Sequence, residues 1–300
     1  MGIATVYLLV SATALFWGAN FVLAGPVLAD LPPLWAAAVR FLLGAGLMLA
    51  IAAVRREELF GLLRRHARVY LLLGTVGIAA FNLLFFYALR STSANSASLI
   101  MGINPLLTAL LAAAFLGEKI TPRHMLALPV ALSGVAIVIS NGDMGKLASL
   151  SFSRGDLLML AATVSWAMYN VLTRRYMPQG SPIAHTSWIM AAGAAVLLVF
   201  ALISDSQFHG LGVKASGAMA VMVVGGTVLA YLFWGAGIAR LGAARTAIFI
   251  NLVPVFAMLT GAFFGALPTK AQLGGGALVL GGVVISMLPR RRPAGASQPS

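Results

Sequence analysis

The sequence predicts an all-α polytopic membrane protein of ten transmembrane helices. They form two inverted five-helix repeats with N- and C-termini cytoplasmic, on the grounds of composition, ten apolar stretches and an internal echo. The 300-residue chain is 60% hydrophobic and 9% charged, whereas a soluble domain carries about 25% charged residues. Its seven acidic groups cannot solvate a globule of this length. Each apolar stretch approaches the ~20 residues that cross ~30 Å of hydrocarbon. Displaced by 149 positions, Trp17 falls on Trp166, Asn82 on Tyr231, Phe85 on Trp234 and Pro105 on Pro254. Past a one-residue gap, Phe115-Leu116-Gly117 meets Phe263-Phe264-Gly265, and Gly134-Val135 meets Gly282-Val283.

The first repeat is expected over 1–150, with spans at 5–24, 33–53, 69–89, 93–115 and 122–140. The second is expected over 151–290, with spans at 154–173, 183–203, 216–237, 244–265 and 270–288, followed by a basic, disordered tail at 291–300. Lipid offers no partner for backbone polar groups, so each span must be helical. The apolar–polar alternation of a membrane barrel is absent. No Lys or Arg precedes the first apolar run and no small-residue cleavage site follows it, so it reads as a retained helix and not a removable signal. Connections are short and carry Pro32-Pro33, Pro122 and Pro178 to Pro182. Small residues at Gly274 to Gly276, Ala277/Gly281 and Gly282/Ser286 in the last span, and Ala127/Ala131 in the fifth, suit close helix packing. These two helices read as scaffold outside the cavity or as a dimer contact, which leaves monomer and weak dimer both open.

The net charge of +13 does not mark a nucleic-acid partner, because the basic residues sit between apolar stretches and not on one polar face. Fourteen of the 20 Lys and Arg fall in one set of connections: Arg55, Arg56, Arg64, Arg65, Arg68; Lys119, Arg123; Arg174, Arg175; Arg240, Arg245; and Arg290 to Arg292. Five fall in the opposite set (Arg90, Lys146, Arg154, Lys214, Lys270), and Arg40 lies inside a span. The richer side is cytoplasmic by the positive-inside rule. With five spans per half, the two repeats insert in opposite orientations, a hallmark of secondary transporters.

With spans and repeat in place, particular motifs stand out: Leu15-Phe16-Trp17-Gly18-Ala19-Asn20-Phe21, then Arg40-Phe41-Leu42-Leu43, then Asn104-Pro105-Leu106 followed by Phe115-Leu116-Gly117-Glu118-Lys119-Ile120-Thr121. Val253-Pro254-Val255 repeats the proline motif in the second half. In this set and order the chain resembles the EamA-type branch of the drug/metabolite transporter superfamily, and within it is most similar to the YddG-type amino-acid exporters. The resemblance implies ten helices, a 5+5 inverted repeat, a central cavity and export of small metabolites. One departure is plain: the Gly117-Glu118 pair after the fourth helix becomes Gly265-Ala266 in the second half.

Polar and aromatic residues deep in spans are the substrate-binding candidates, since they are costly in lipid and face an interior. Thr13, Trp17 and Asn20 share one face of the first helix; Thr163, Trp166 and Asn170 share one face of the sixth. Both tryptophans lie ~18 Å into their spans, too deep for an interfacial belt. Asn82, Tyr231 and Trp234 are further wall candidates, with Met101 and Ser98. Pro105 and Pro254 lie mid-span as gating or hinge candidates, each freeing the carbonyl four residues back. Arg40, Asn104 and Asn251 are polar residues with either a structural role or a role at the substrate; for Arg40 the choices are a backbone contact, snorkelling outward, or a substrate carboxylate.

The chain has no cysteine. No His lies deep in a span for a serine-type dyad, and no His and carboxylate cluster suits a metal. We expect no catalytic residue, no metal and no cofactor: the protein is expected not to be an enzyme. No Asp or Glu lies deep in a span either, which points to facilitated transport without obligatory ion coupling. A wall of Trp, Tyr, Asn, Ser and Met suits amino acids, and aromatic cations or drugs as well. The sequence therefore predicts an exporter of amino acids of broad specificity, aromatic and neutral, working by alternating access in the bacterial inner (plasma) membrane. Other metabolite or nucleotide-sugar carriage and proton-coupled multidrug export are the alternatives.

Overall fold

The apolar runs fold into helices throughout: among the described residues of the computed structural model there is no strand. Those residues are 2–118, 120, 122–143, 145, 153–204, 207–241, 246 and 248–287; the expected tail at 291–300 lies outside them, as do Lys119 and Arg245. We number the helices α1 (Ile3–Asp30), α2 (Pro33–Val54), α3 (Leu59–Ala88), α4 (Ala94–Leu116), α5 (Pro122–Ser140), α6 (Arg154–Tyr176), α7 (Pro182–Ile203), α8 (Val213–Leu241), α9 (Leu252–Phe263) and α10 (Lys270–Met287). Seven (α1 to α4 and α6 to α8) are long and apolar enough to cross a membrane; the apolar parts of α5, α9 and α10 are shorter. The protein is polytopic and all-helical.

Helix ends follow local chemistry. Pro33 and Pro182 occupy first-turn positions, where a missing N–H costs nothing. Ser153 caps α6 by accepting from the Asp156 N–H. Thr269 and Gln272 form a reciprocal capping box at the start of α10: the Thr269 N–H donates to Gln272 Oε1 at 3.0 Å, and the Gln272 N–H to Thr269 Oγ1 at 3.2 Å. Gly117, at φ 69°, ends α4 in the left-handed region.

Several boundaries differ from expectation: α8 runs over Val213–Leu241 and not 216–237, α9 begins at Leu252 and not at 244, and α3 and α1 extend well past their predicted ends. Helix α3 begins at Leu59, not at 69, because half-buried Leu62 and Leu63 and the exposed Arg64, Arg65 and Arg68 that follow share an amphipathic helical period; the charges mark a polar face and not a loop. The segment kinks at His66 (φ −124°, ψ 15°), and the Trp188 indole donates to the Leu59 carbonyl at 2.9 Å. Helix α1 runs past 24 through Pro26 to Asp30, because buried Ala24 and Val27 hold the last turns in the packed interior.

The regular helix also breaks twice per half, at matching places. Gly74–Ala80 in α3 and Val224–Leu229 in α8 are π-helical; 149 positions separate Gly77 from Gly226. Gly102 and Ile103 interrupt α4, and a 3-10 turn at Ile248–Asn251 precedes α9. Pro105 therefore starts a new helical segment at Asn104–Leu116 instead of bending a continuous helix, and Pro254 stands in the first turn of α9. Both prolines thus lie at a helix start, where proline is tolerated, and not at a bend in a continuous helix.

Packing ties the two halves together. Helix α1 lies against α8 and α9, while α6 lies against α3 and α4. Outside them α2 pairs with α7, and α5 with α10. Glycine sets the closest approaches: a Cβ on Gly134 would sit 2.5 Å from the Gly275 carbonyl oxygen, and one on Gly282 would sit 2.8 Å from that of Ala127. Gly275 and Gly282 of α10 thus meet α5 at Gly134 and at Ala127 and Ala131, whereas Gly276 faces Leu99 of α4 and Gly274 and Gly281 meet no neighbouring helix among the described residues.

A central cavity and its two unequal ends

Helices α1 and α6 carry side chains that satisfy the π-turns of their neighbours. An i→i+5 turn disturbs the regular ladder and leaves carbonyls to find partners. On α1, Trp17 Nε1 donates to the Gly226 carbonyl at 3.2 Å, and Thr13 Oγ1 to that of Ala230 at 3.2 Å. On α6, Ser165 Oγ donates to the Val76 carbonyl at 2.8 Å. Glycine is needed on the facing turns because side chains press on them. A Cβ on Gly226 would lie under 3 Å from Asn20, and one on Gly77 under 3 Å from the Tyr169 ring. Asn20 and Tyr169 are themselves 149 positions apart.

These contacts leave a central cavity between the helices. Trp17, Phe81, Trp166 and Tyr231 give it aromatic walls. Trp17 meets Trp166 edge-on at 6.4 Å and Tyr231 edge-on at 5.9 Å, and Phe81 meets Trp166 at 5.1 Å. Asn20, Arg40, Asn82 and Ser98 add polar groups, and Met101 and Pro254 complete one side. About 70 Å³ is open to the centres of water molecules. At roughly 10–15 Å³ per water on this measure, that is about five waters, or the bulk of a mid-sized amino acid.

Arg40 is 5% exposed and lies in the wall. Its Nε donates to Thr227 Oγ1 at 3.1 Å and its Nη1 to Asn82 Oδ1 at 3.4 Å, and its guanidinium sits 5.1 Å from the Phe41 ring centroid. Asn82 is held in turn by donating to the Ile78 carbonyl at 2.9 Å. Neutral oxygens thus hold the cation, and Arg40 makes no ion pair among the described residues. Asn20 Oδ1 is buried with no hydrogen-bond partner.

Of the residues singled out from sequence, Trp17, Asn20, Asn82, Ser98, Met101, Trp166 and Tyr231 stand in the wall, with Arg40 and Pro254. Asn170 stands outside it: its Nδ2 donates to Asn104 Oδ1 and Thr108 Oγ1, both at 3.3 Å, joining α6 to α4. Asn104 also donates to the Thr163 carbonyl at 3.0 Å, so it too fastens these helices. Trp234 leans on Trp17 at 5.2 Å and packs beside Val6 and Val10. Pro105 and Asn251 also lie outside the wall. Phe21, Phe81 and Gly226 were not singled out, although Gly225-Gly226 inside an apolar span is itself a sign of close approach.

The ends of the cavity are unequal. Beyond Asn170, Arg174 forms a bidentate ion pair with Glu118, and Arg175 Nη1 donates to the Phe115 carbonyl at 3.0 Å. These contacts bind α6 to the end of α4. At the other end, Phe21 lines both the central cavity and a second cavity whose wall includes Gly25, Asn95, Gly261 and Ala266. Gly25 and Ala266 are the repeat partners of Arg174 and Glu118, so no ion pair can form there.

Apolar helices of membrane-spanning length around a ligand-sized interior cavity define a multi-pass integral membrane protein of carrier type. The EamA-like transporter family model matches residues 4–140 and again 153–288, and the chain belongs to that family. It is thereby a member of the drug/metabolite transporter superfamily's EamA-type branch. The chain is 37% identical over 281 residues to the "Uncharacterized transporter YyaM" of Bacillus subtilis (strain 168), covering 93% of this chain and 92% of that one. It is 30% identical over 261 residues to a "Probable terminal-alkyne amino-acid exporter" of Streptantibioticus cattleyicolor, at 83% and 84% coverage. It is 27% identical over 288 residues to a "Probable amino-acid metabolite efflux pump" of Escherichia coli (strain K12), at 92% of each chain. One crystal structure aligns with a TM-score of 0.66 and 22% identity over 95% of this chain and 97% of its own, a likeness of fold alone.

Proposed function

We propose that this protein exports amino acids across a bacterial inner membrane, with broad specificity for aromatic and other neutral side chains and room for aromatic cations. On this reading ten helices span the membrane as two inverted repeats, 1–150 and 151–290, with both termini cytoplasmic. The observation that carries it is a mid-sized polar and aromatic cavity fastened at one end and parted at the other from a second cavity by Phe21. On the positive-inside reading of the basic connections, the Arg174–Glu118 end is cytoplasmic and the second cavity lies toward the outer side. Alternating access then consists of opening the α4–α6 contacts while Phe21 and its surroundings close. Export names borne by two relatives, and the likeness to the YddG-type exporters, support the substrate class.

The cavity residues act by binding. Trp17, Trp166 and Tyr231 offer π-faces to a side chain or a cation; Asn20, Asn82 and Ser98 offer hydrogen bonds. Purified protein in proteoliposomes loaded with phenylalanine should take up labelled phenylalanine by counterflow. Trp17→Ala and Trp166→Ala should lower the rate while the protein stays folded and monodisperse. No counterflow for any neutral amino acid defeats the substrate reading, and unchanged kinetics in both variants removes the cavity from the pathway.

A further inference from the structure

A guanidinium buried in a membrane-spanning helix is costly unless an anion or a set of oxygens compensates it. Arg40 has five N–H donors, and the two hydrogen bonds described above go to neutral side-chain oxygens, leaving the cation with no counter-charge among the described residues. Asn20, in the same wall, presents the complementary defect: a buried Oδ1 with no donor. One defect asks for a negative, planar acceptor and the other for a donor.

We propose that Arg40 and Asn20 are the two poles of a head-group site that orients an α-amino acid in the cavity. Arg40 takes the carboxylate and Asn20 Oδ1 accepts from the ammonium. This rests on the reading of the cavity as an amino-acid site and adds to it a requirement for both charged groups on the substrate. Thr227 and Asn82 hold the guanidinium in place, so the fork meets its ligand without first being ordered. The aromatic walls then face the side chain, whose tolerance accounts for broad specificity. The second half has Ile189 and Tyr169 at the matching positions, so the arrangement is not repeated and the substrate has one orientation.

The test is binding, followed by tryptophan fluorescence, of three probes to purified protein: phenylalanine, phenylalaninamide (no carboxylate) and 3-phenylpropionate (no ammonium). Wild type should bind phenylalanine most tightly. Arg40→Gln should weaken phenylalanine and phenylpropionate about ten- to a hundred-fold and leave the amide unchanged. Asn20→Leu should weaken phenylalanine and the amide and leave phenylpropionate unchanged. Should Arg40→Gln not fold, Arg40→Lys replaces it, and loss of the fork should cut the acid-to-amide preference several-fold. Equal weakening of all three probes by Arg40→Gln at unchanged Tm, or an unchanged preference in Arg40→Lys, overturns the proposal and leaves amino-acid export standing. Tight, Arg40-dependent binding of phenylpropionate without binding of phenylalanine upholds the carboxylate pole and defeats the amino-acid reading. No binding of any probe defeats both.

Discussion

Phe21 and Asn170 hold the same place in the two halves, 149 positions apart, and do opposite things. Asn170 is hydrogen-bonded across to Asn104 and Thr108. Phe21 stands between two cavities, making an edge contact with Phe85 at 5.1 Å. A hydrogen-bonded amide gives one discrete fit between helices. A ring leaves its place by changing rotamer, with no polar partner to lose. Phe21→Ala should join the two cavities. The chain has no cysteine, so a cysteine at Ser98 is a clean reporter. Its labelling by a polar thiol reagent added from the second-cavity side should rise several-fold in the Phe21→Ala background; an unchanged rate would mean that Phe21 is no barrier.

The Arg174–Glu118 ion pair is part of the opposite seal, and its side chains are 54% and 42% exposed. An exposed pair contributes at most about 1 kcal/mol, an up to roughly five-fold shift in a two-state equilibrium. Glu118→Gln should therefore shift the population modestly toward a form open at this end, without abolishing transport. Exchanging the charges (Glu118→Arg with Arg174→Glu) should restore the wild-type balance. Labelling of a cysteine at Thr108 from the Arg174–Glu118 side reports that balance, and a double variant no closer to wild type than the single ones would place the seal elsewhere.

Proton coupling in carriers centres on an ionisable residue within a span, and the breaks in α4 and before α9 carry no carboxylate among the described residues. Among the described residues Asp and Glu stand at helix ends or connections. Buried Asp156 is the first-turn acid of α6, accepting from Thr92 Oγ1 at 2.5 Å and Ser153 Oγ at 2.6 Å. Counterflow should proceed at the same rate with and without a pH or sodium gradient. Asp156→Asn should lower Tm by loosening the joint of α6 with the α3–α4 connection, at a cost of about 1–2 kcal/mol for a cap and its helix-end charge, and should leave gradient dependence unchanged. A gradient requirement that vanishes in Asp156→Asn would make this carboxylate the coupling site.

Much of this architecture is legible in the sequence because lipid forces it: apolar runs become helices, and Trp17 and Trp166, singled out by their place within their apolar runs, line the central cavity. The repeat register also locates the cavity walls. The start of α3 is not legible from hydropathy, since Arg64, Arg65 and Arg68 lower the average even though the period is helical. Asn170 shares a helical face with Trp166, but whether an amide meets substrate or a neighbouring helix depends on what α4 presents. There Asn104 and Thr108 take it up. The π-turns depend on partners from another helix, and only the glycines at 74, 77, 225 and 226 hint at them.

Those glycines support a last prediction. Gly77 faces the Tyr169 ring and Gly226 faces Asn20, each too closely for a Cβ. Tyr169 is a large ring in a packed interior, and making room for a methyl group requires it to leave its rotamer; overpacking of this kind costs about 1–3 kcal/mol. Asn20 is short and borders the cavity, so it can turn into open space. Gly77→Ala should thus lower Tm by several degrees, with transport per folded molecule nearly retained. Gly226→Ala should leave Tm closer to wild type but weaken substrate binding, because it displaces the very Oδ1 assigned to the ammonium. Thermal unfolding and phenylalanine titration of both variants separate the two effects. Equal Tm losses with unaltered affinity would assign both glycines to packing alone.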